Sequence, residues 1–318
     1  VPPSHPESQA PDADRAVPLP GHRVNGRVQY LGPAGSFSHL AARALLPGGE
    51  AAGKVHPGAS VPACFDDLAH GRCTAIVVPV ENGAKGYVGD TVEQLCARGA
   101  DLAILGSAAV PVAFSLYRLA GDGGPLRSIA SHPFGLAQVR AWSAARPLKE
   151  IETASTSGAL EMLARERTTG LGAVAAPGIG DLYGLEEVET DLQGPSVNAT
   201  RFLLVGRAPG EGAGADLAAD PAAGGVGELY AGLIARDAAV LAPVLGLAVA
   251  RGLTAAVAPA KQGPGFGGYR YLVELRGPAA VSPGMGAGIV RAAAALTGPG
   301  LVPLGVYRHL AGEPAASA

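Results

Sequence analysis

The sequence predicts an α/β protein of two lobes followed by a small ferredoxin-like domain. Three observations carry that expectation. Short apolar runs alternate with helix-like segments from Arg27 to Arg207. Those runs end in polar or Gly-rich loops, where parallel sheets bind ligands. Beyond a Gly- and Ala-rich linker the pattern becomes strand, helix, strand, strand, helix, strand. A chain of 318 residues also suits about two domains.

Taken in order, residues 1–25 form a Pro-rich lead without the apolar core of a signal peptide. Val28, Tyr30 and Leu31 predict a strand running into Gly32-Pro33-Ala34-Gly35, and Ser36 caps a helix carrying Ala41, Ala42, Ala44 and Leu45. Phe65, Leu68 and Ala69 mark a short helix, and Ala75 to Val80 a buried strand that ends in Glu81-Asn82-Gly83. Thr91 to Leu95 predict a helix, and Ala103 to Leu105 and Pro111 to Tyr117 strands that cross to a second lobe. There, strands are expected at Ser128 to Ala130, Ile151 to Ala154 and Gly172 to Ala176, with helices at Phe134 to Ala145, Gly158 to Glu166 and Ile179 to Tyr183. The chain returns through Asn198 to Val205 as a central strand. After the linker come a strand (Glu228 to Ile234), a helix (Ala238 to Arg251), two strands about Gly263 to Gly268, a helix (Gly286 to Leu296) and a strand (Leu301 to Tyr307).

Composition narrows the function classes. The 24 basic and 27 acidic side chains leave a formal charge of −3, with no basic surplus to neutralise a phosphate backbone, so nucleic acid is not expected as a partner. Three cysteines (Cys64, Cys73, Cys96) form no CxxC pair, which points to a reduced compartment and no structural zinc. The longest uncharged apolar stretch, Leu102 to Tyr117, contains Pro111 and is shorter than the roughly 20 residues that span a bilayer. A soluble cytoplasmic protein is expected.

Four polar clusters sit at predicted strand ends: Ser36 with Ser38, Glu81 with Asn82, Ser155-Thr156-Ser157, and Asn198 with Thr200 and Arg201. Hydroxyl-capped helix starts present backbone N–H groups to a carboxylate, so several facing one cleft suit a small dianion. Ordinary capping explains any one of these clusters alone. Arg201 fits either a bidentate carboxylate clamp or a structural ion pair. His132 reads as a general base or as a structural residue before Pro133, His39 as partly exposed, and the cysteines as small buried hydrophobes.

Together these residues resemble a known family. Tyr30-Leu31-Gly32-Pro33-Ala34-Gly35-Ser36-Phe37-Ser38 resembles the opening motif of the prephenate dehydratases, and Pro79-Val80-Glu81-Asn82-Gly83 their Pro-Ile-Glu-Asn-Ser segment. Ser131-His132-Pro133, Gln138, Trp142 and Ser155-Thr156-Ser157 match the second lobe, and Asn198-Ala199-Thr200-Arg201-Phe202 the Asn-x-Thr-Arg-Phe signature. The resemblance implies a bilobal fold like type II periplasmic binding proteins over 26–207, a linker at 208–226 and an ACT regulatory or dimerisation domain over 227–312. It implies conversion of prephenate to phenylpyruvate, carbon dioxide and water with no metal or organic cofactor, in a homodimer or homotetramer. Thr200 would be the hydrogen-bond donor to the leaving hydroxyl. Ser36, Ser38, Glu81, Asn82, Ser155, Thr156, Ser157, Asn198, Arg201 and Phe202 would bind substrate.

Departures keep other outcomes open. Gly83 stands where the family has Ser, and Ser107 where it has Glu near the crossing strand; both losses are expected to touch the cleft. A non-aromatising prephenate decarboxylase is the alternative, followed by an arogenate dehydratase and a non-enzymatic amino-acid sensor. In the C-terminal domain Ala239-Val240-Leu241 replaces Gly-Ala-Leu, and Ala256-Val257-Ala258-Pro259 keeps only the Pro of Glu-Ser-Arg-Pro. Those changes put a phenylalanine site there in doubt.

Overall fold

The computed structural model describes residues 24, 26–46, 53–194, 198–208, 228–263, 267–277, 288, 292 and 300–310. The Pro-rich lead, the linker, most of the expected helix at 286–296 and the centre of the loop at 263–268 lie outside the described residues.

The first lobe is built from β1 (Val28–Leu31), α1 (Phe37–Leu45), β2 (Val55–Gly58), α2 (Val61–Ala69), β3 (Ala75–Asn82), β4 (Gly86–Tyr87), α3 (Gly89–Arg98) and β5 (Leu102–Pro111). The second holds β6 (Ser115–Leu119), β7 (Ser128–Ser131), α4 (Pro133–Gln138), α5 (Arg140–Ala144), β8 (Lys149–Glu152), α6 (Thr156–Glu166), β9 (Leu171–Ala175) and β10 (Leu185–Glu189). The chain then re-enters the first lobe as β11 (Ala199–Arg207). A C-terminal unit follows with β12 (Glu228–Ala235), α7 (Leu241–Ala250), β13 (Thr254–Lys261), β14 (Tyr269–Gly277) and β15 (Leu301–Leu310).

The α/β expectation holds, and most elements lie within a few residues of their expected places. The segment expected as one helix over Phe134 to Ala145 is two short helices meeting at Val139. The strands β2 and β10 have no counterpart among the expected elements. Pro57 interrupts the apolar signal of the first, and Glu186, Glu187 and Glu189 that of the second.

Two sheets organise the chain. The second lobe has a five-stranded sheet, β10-β6-β9-β7-β8. The larger sheet runs β13-β14-β12-β15-β5-β11-β3-β1-β2, with β4 added to β3. Its first four strands are the C-terminal unit, in the order of a ferredoxin-like sheet. They do not form a separate body: β15 pairs in parallel with β5 at His309↔Ser107 and Leu310↔Ala108. The core follows that continuity, since Ile76, Val78, Leu95 and Leu203 of the first lobe share one apolar cluster with Tyr230, Leu272 and Tyr307. Among the described residues no helix is long and apolar enough to cross a membrane.

Candidate active site

Strand β11 lies antiparallel between β3 and β5, and the pairing opposes Thr200 to Asn82 and Arg201 to Glu81. Successive side chains on a strand project to opposite faces. Thr200 and Asn82 therefore share one face at the strand ends, and Arg201 and Glu81 share the other.

The front face opens into a cleft of about 300 Å³ between the lobes. Gly32, Ser36 and Phe37 line it from the β1–α1 turn, Asn82 and Thr200 from the central strands, and His132, Phe134 and Ser155 to Ser157 from the second lobe. Ser36 caps α1: its Oγ accepts the His39 N–H (3.3 Å) and donates to the Leu31 carbonyl (3.1 Å). Ser155 caps α6 by accepting the Gly158 N–H (2.9 Å). The Ser157 hydroxyl is buried and has no hydrogen-bond partner among the described residues. His132 caps α4, its Nδ1 accepting the Phe134 N–H (3.1 Å), which leaves the proton of a neutral ring on Nε2. In the β1–α1 turn, Gly35 has φ +73°, and a Cβ there would stand 3.0 Å from the Ile179 side chain of the opposite lobe.

The geometry at Thr200 sets what the cleft can do. Asn82 Nδ2 donates to Thr200 Oγ1 at 2.9 Å. The amide orientation is fixed because Asn82 Oδ1 accepts the backbone N–H groups of Ala84 and Lys85, both at 3.1 Å. A flipped amide would set its own N–H groups against those two donors. With its oxygen engaged as acceptor, the Thr200 hydroxyl keeps its proton to donate into the cleft, and the incoming bond strengthens it as a donor.

The back face is an ion network. Arg201 is 6% exposed and donates to Glu81 Oε2 (2.9 Å from Nη2) and to Glu274 of β14 (2.8 Å from Nη1). Glu274 is fully buried and also accepts from Tyr87 (3.1 Å) and Tyr307, while Arg276 bonds Glu81 at 3.2 Å. Burial works against the charge on Arg201, but Glu274 and Glu81 more than offset it and raise its pKa. Burial likewise opposes ionisation of Glu274, yet Arg201 and Tyr307 hold its carboxyl below the usual range.

This placement divides the residues expected to bind substrate. Ser36, Asn82, Ser155, Thr156, Ser157 and Thr200 line the cleft together. Glu81 and Arg201 do not; strand alternation turns them to the back, and the ion-pair reading of Arg201 is the one realised. Phe202 is 2% exposed in the core with Val28 and Tyr30, and Ser38 is 5% exposed on the inner side of α1. Asn198 stands beside Gly83, its Oδ1 3.6 Å from where a Gly83 Cβ would lie. Ser107 is remote from the cleft lining: it is fully buried in β5 and its Oγ bonds His309 Nδ1 at 2.9 Å, so it removes nothing from the cleft. His39 is also a correction, being 3% exposed, stacked on Tyr30 and accepting the Gly35 N–H at Nδ1.

Sequence reasoning missed Val112 and Phe134, which give the cleft apolar walls. Among the described residues no three His, Cys, Asp or Glu side chains are arranged to hold a metal ion.

Two α/β lobes about a cleft lined by hydroxyls and one pinned amide, fused through a continuous sheet to a ferredoxin-like unit, define a two-lobed α/β protein with a polar cleft between its lobes. The chain belongs to the prephenate dehydratase family, whose model matches residues 28–210. A prephenate dehydratase of Amycolatopsis methanolica is 32% identical over 257 residues, covering 79% of each chain. Against a Mycolicibacterium smegmatis relative the match spans 60% of that protein's length. Among solved structures, the prephenate dehydratase of Arthrobacter aurescens in complex with L-Phe has a TM-score of 0.65 at 24% identity, covering 88% of this chain and 89% of that one. The quorum-quenching acylase GqqA superposes with a TM-score of 0.69 at 24% identity, covering 89% and 97%, which establishes likeness of fold.

Proposed function

We propose that this chain is a prephenate dehydratase, converting prephenate to phenylpyruvate, carbon dioxide and water. The observation that carries the reading is the Thr200 hydroxyl, held by Asn82 with its proton left to donate into the cleft. In the reaction the bond from the ring to its carboxylate breaks and carbon dioxide leaves. That electron pair forms a new ring double bond, the adjoining ring double bond shifts one position toward C4, and the C4–O bond breaks with its own pair. The departing hydroxide needs a proton, and Thr200 supplies a hydrogen bond or the proton itself, regained from solvent. A threonine hydroxyl is a weak acid, so its contribution is a positioned donor where negative charge develops. The backbone N–H groups opening α6 and the hydroxyls of Ser36 and Ser155 to Ser157 suit the substrate's carboxylates. Aromatisation and fixed orientation do the rest.

The C-terminal unit, with its ferredoxin-like strand order, is read as an ACT domain that joins copies into a homodimer or homotetramer in the cytoplasm. Domain boundaries at 26–207 and 227–312 belong to the same reading. Of the two departures from the family pattern only Gly83 lies near Asn82 and Thr200, so a non-aromatising decarboxylase rests on that change alone. Incubating purified protein with prephenate at neutral pH and identifying the product by ultraviolet spectrum and mass separates the two. Phenylpyruvate is expected; a decarboxylated, non-aromatic hydroxy keto acid would overturn the dehydratase reading.

A further inference from the structure

A dicarboxylate entering the cleft meets no formal positive charge in its walls. No Lys or Arg lines it among the described residues, and the polar lining consists of hydroxyls, the Asn82 amide and the His132 imidazole. The countercharge has to come from the rim.

Lys85 is placed to supply it. It sits in the turn between β3 and β4, and its backbone N–H is one of the two donors that fix the Asn82 amide, 3.1 Å from Oδ1. Its side chain reaches the other lobe, where Nζ lies 4.3 Å from the centroid of the Phe134 ring. That ring is itself a wall of the cleft, so the ammonium stands against the cleft's own lining. Lys85 has no carboxylate within salt-bridge distance among the described residues, in contrast to the arginines of the back face. An ammonium over a phenyl face in solvent is weakly held. A carboxylate arriving beside it offers a charge-assisted hydrogen bond instead.

We propose that Lys85 is a substrate-recognition residue of this chain. Its ammonium rests on Phe134 in the free protein and transfers to a carboxylate of the bound dianion, tying first-lobe loop, ligand and second lobe together. The proposal rests on the reading of the cleft as the prephenate site. Because Lys85 is exposed and touches neither Thr200 nor the core, its contribution falls on binding and not on the chemical step.

The test compares Lys85→Met, which keeps the apolar stem, and Lys85→Arg, which keeps the charge, with wild type in steady-state turnover of prephenate across ionic strengths. Lys85→Met is expected to raise KM about tenfold with kcat within about twofold, and to flatten the salt dependence of kcat/KM. Lys85→Arg should hold KM within about threefold of wild type. An unchanged KM in Lys85→Met, or a fall in kcat at constant KM, overturns the proposal. If wild type binds prephenate without turning it over, the dehydratase reading fails separately. The same variants are then compared by calorimetric titration with prephenate, where an equal Kd for wild type and Lys85→Met overturns the role of Lys85 and a roughly tenfold weaker one supports it.

Discussion

Removing the Glu274 carboxylate is the sharpest perturbation of the joint between the C-terminal unit and the strands that carry Thr200. Glu274 is fully buried, and four donor contacts converge on it: two from Arg201 and one each from Tyr87 and Tyr307. Glu274→Gln keeps the volume but sets an NH₂ against those donors. It also leaves the buried Arg201 with Glu81 alone, an acid already shared with Arg276. Stripping one partner from a buried ion pair costs about 3–5 kcal/mol. In a protein of 318 residues that is a fall in Tm of about 5–8 °C. Differential scanning calorimetry reads the fall directly. The exposed pair Arg165–Glu166 is the control, since Arg165→Ala should move stability by no more than about 0.5 kcal/mol. A double-mutant cycle of Arg201→Met and Glu274→Met should show the double variant more stable than the sum of the singles predicts, because no lone charge remains buried. A shift under about 2 °C for Glu274→Gln, or strict additivity in the cycle, would mean that the buried charges of Arg201 and Glu274 do not depend on each other.

Other consequences are as direct. Burial and the neighbouring Arg201 push the His309 imidazole down to about 4, so it is neutral when folded but protonates near 6.5 when unfolded. Its contribution is therefore full above pH 6.5 and is lost as pH falls from about 6.5 to about 4, amounting to roughly 3 kcal/mol. His309→Asn should flatten the decline in Tm across that window, and an unaltered slope would contradict it. Gly83→Ser should fold within about 0.5 kcal/mol of wild type by urea unfolding, because a Cβ there meets nothing closer than 3.6 Å. Gly58→Ala should cost about 1–3 kcal/mol in the same assay, since its Cβ would press on Cys64 Sγ from well inside contact distance. Cys64, Cys73 and Cys96 are buried, and burial pushes their thiols up to about 12, 11 and 12, so all three should ignore a thiol reagent until the protein unfolds.

Much of this architecture was legible in the chain because local rules settle it. Ser36 and Ser155 announce helix starts, the run from Ala75 to Val80 a buried strand, and the alternation of such segments an α/β sheet. The division of the candidate site was also within reach. Glu81 beside Asn82 and Arg201 beside Thr200 cannot share a cleft face on extended strands, so period-two alternation separates them. What no local pattern carried is long-range. The pairing of β15 with β5 brings Ser107 against His309 across 202 residues, and the packing of β14 brings Glu274 to Arg201 across 73. The sequence marks Phe134 only as the start of a helix, because nothing in a single helix tells which edge faces another lobe. The expectation that His39 is partly exposed fails for a related reason, since its partner Tyr30 is supplied by the strand beneath α1.

A hydroxyl at position 200, held by Asn82, is what drives the chemical step in the proposed reaction. The most direct measurement is single-turnover conversion of prephenate by wild type, Thr200→Ser and Thr200→Ala at saturating substrate, with binding measured in parallel. Thr200→Ala is expected to lose about 10²–10³-fold in rate while binding prephenate within a few fold of wild type, and Thr200→Ser to restore most of the rate. A Thr200→Ala variant that forms phenylpyruvate at the wild-type rate would contradict that role of the hydroxyl.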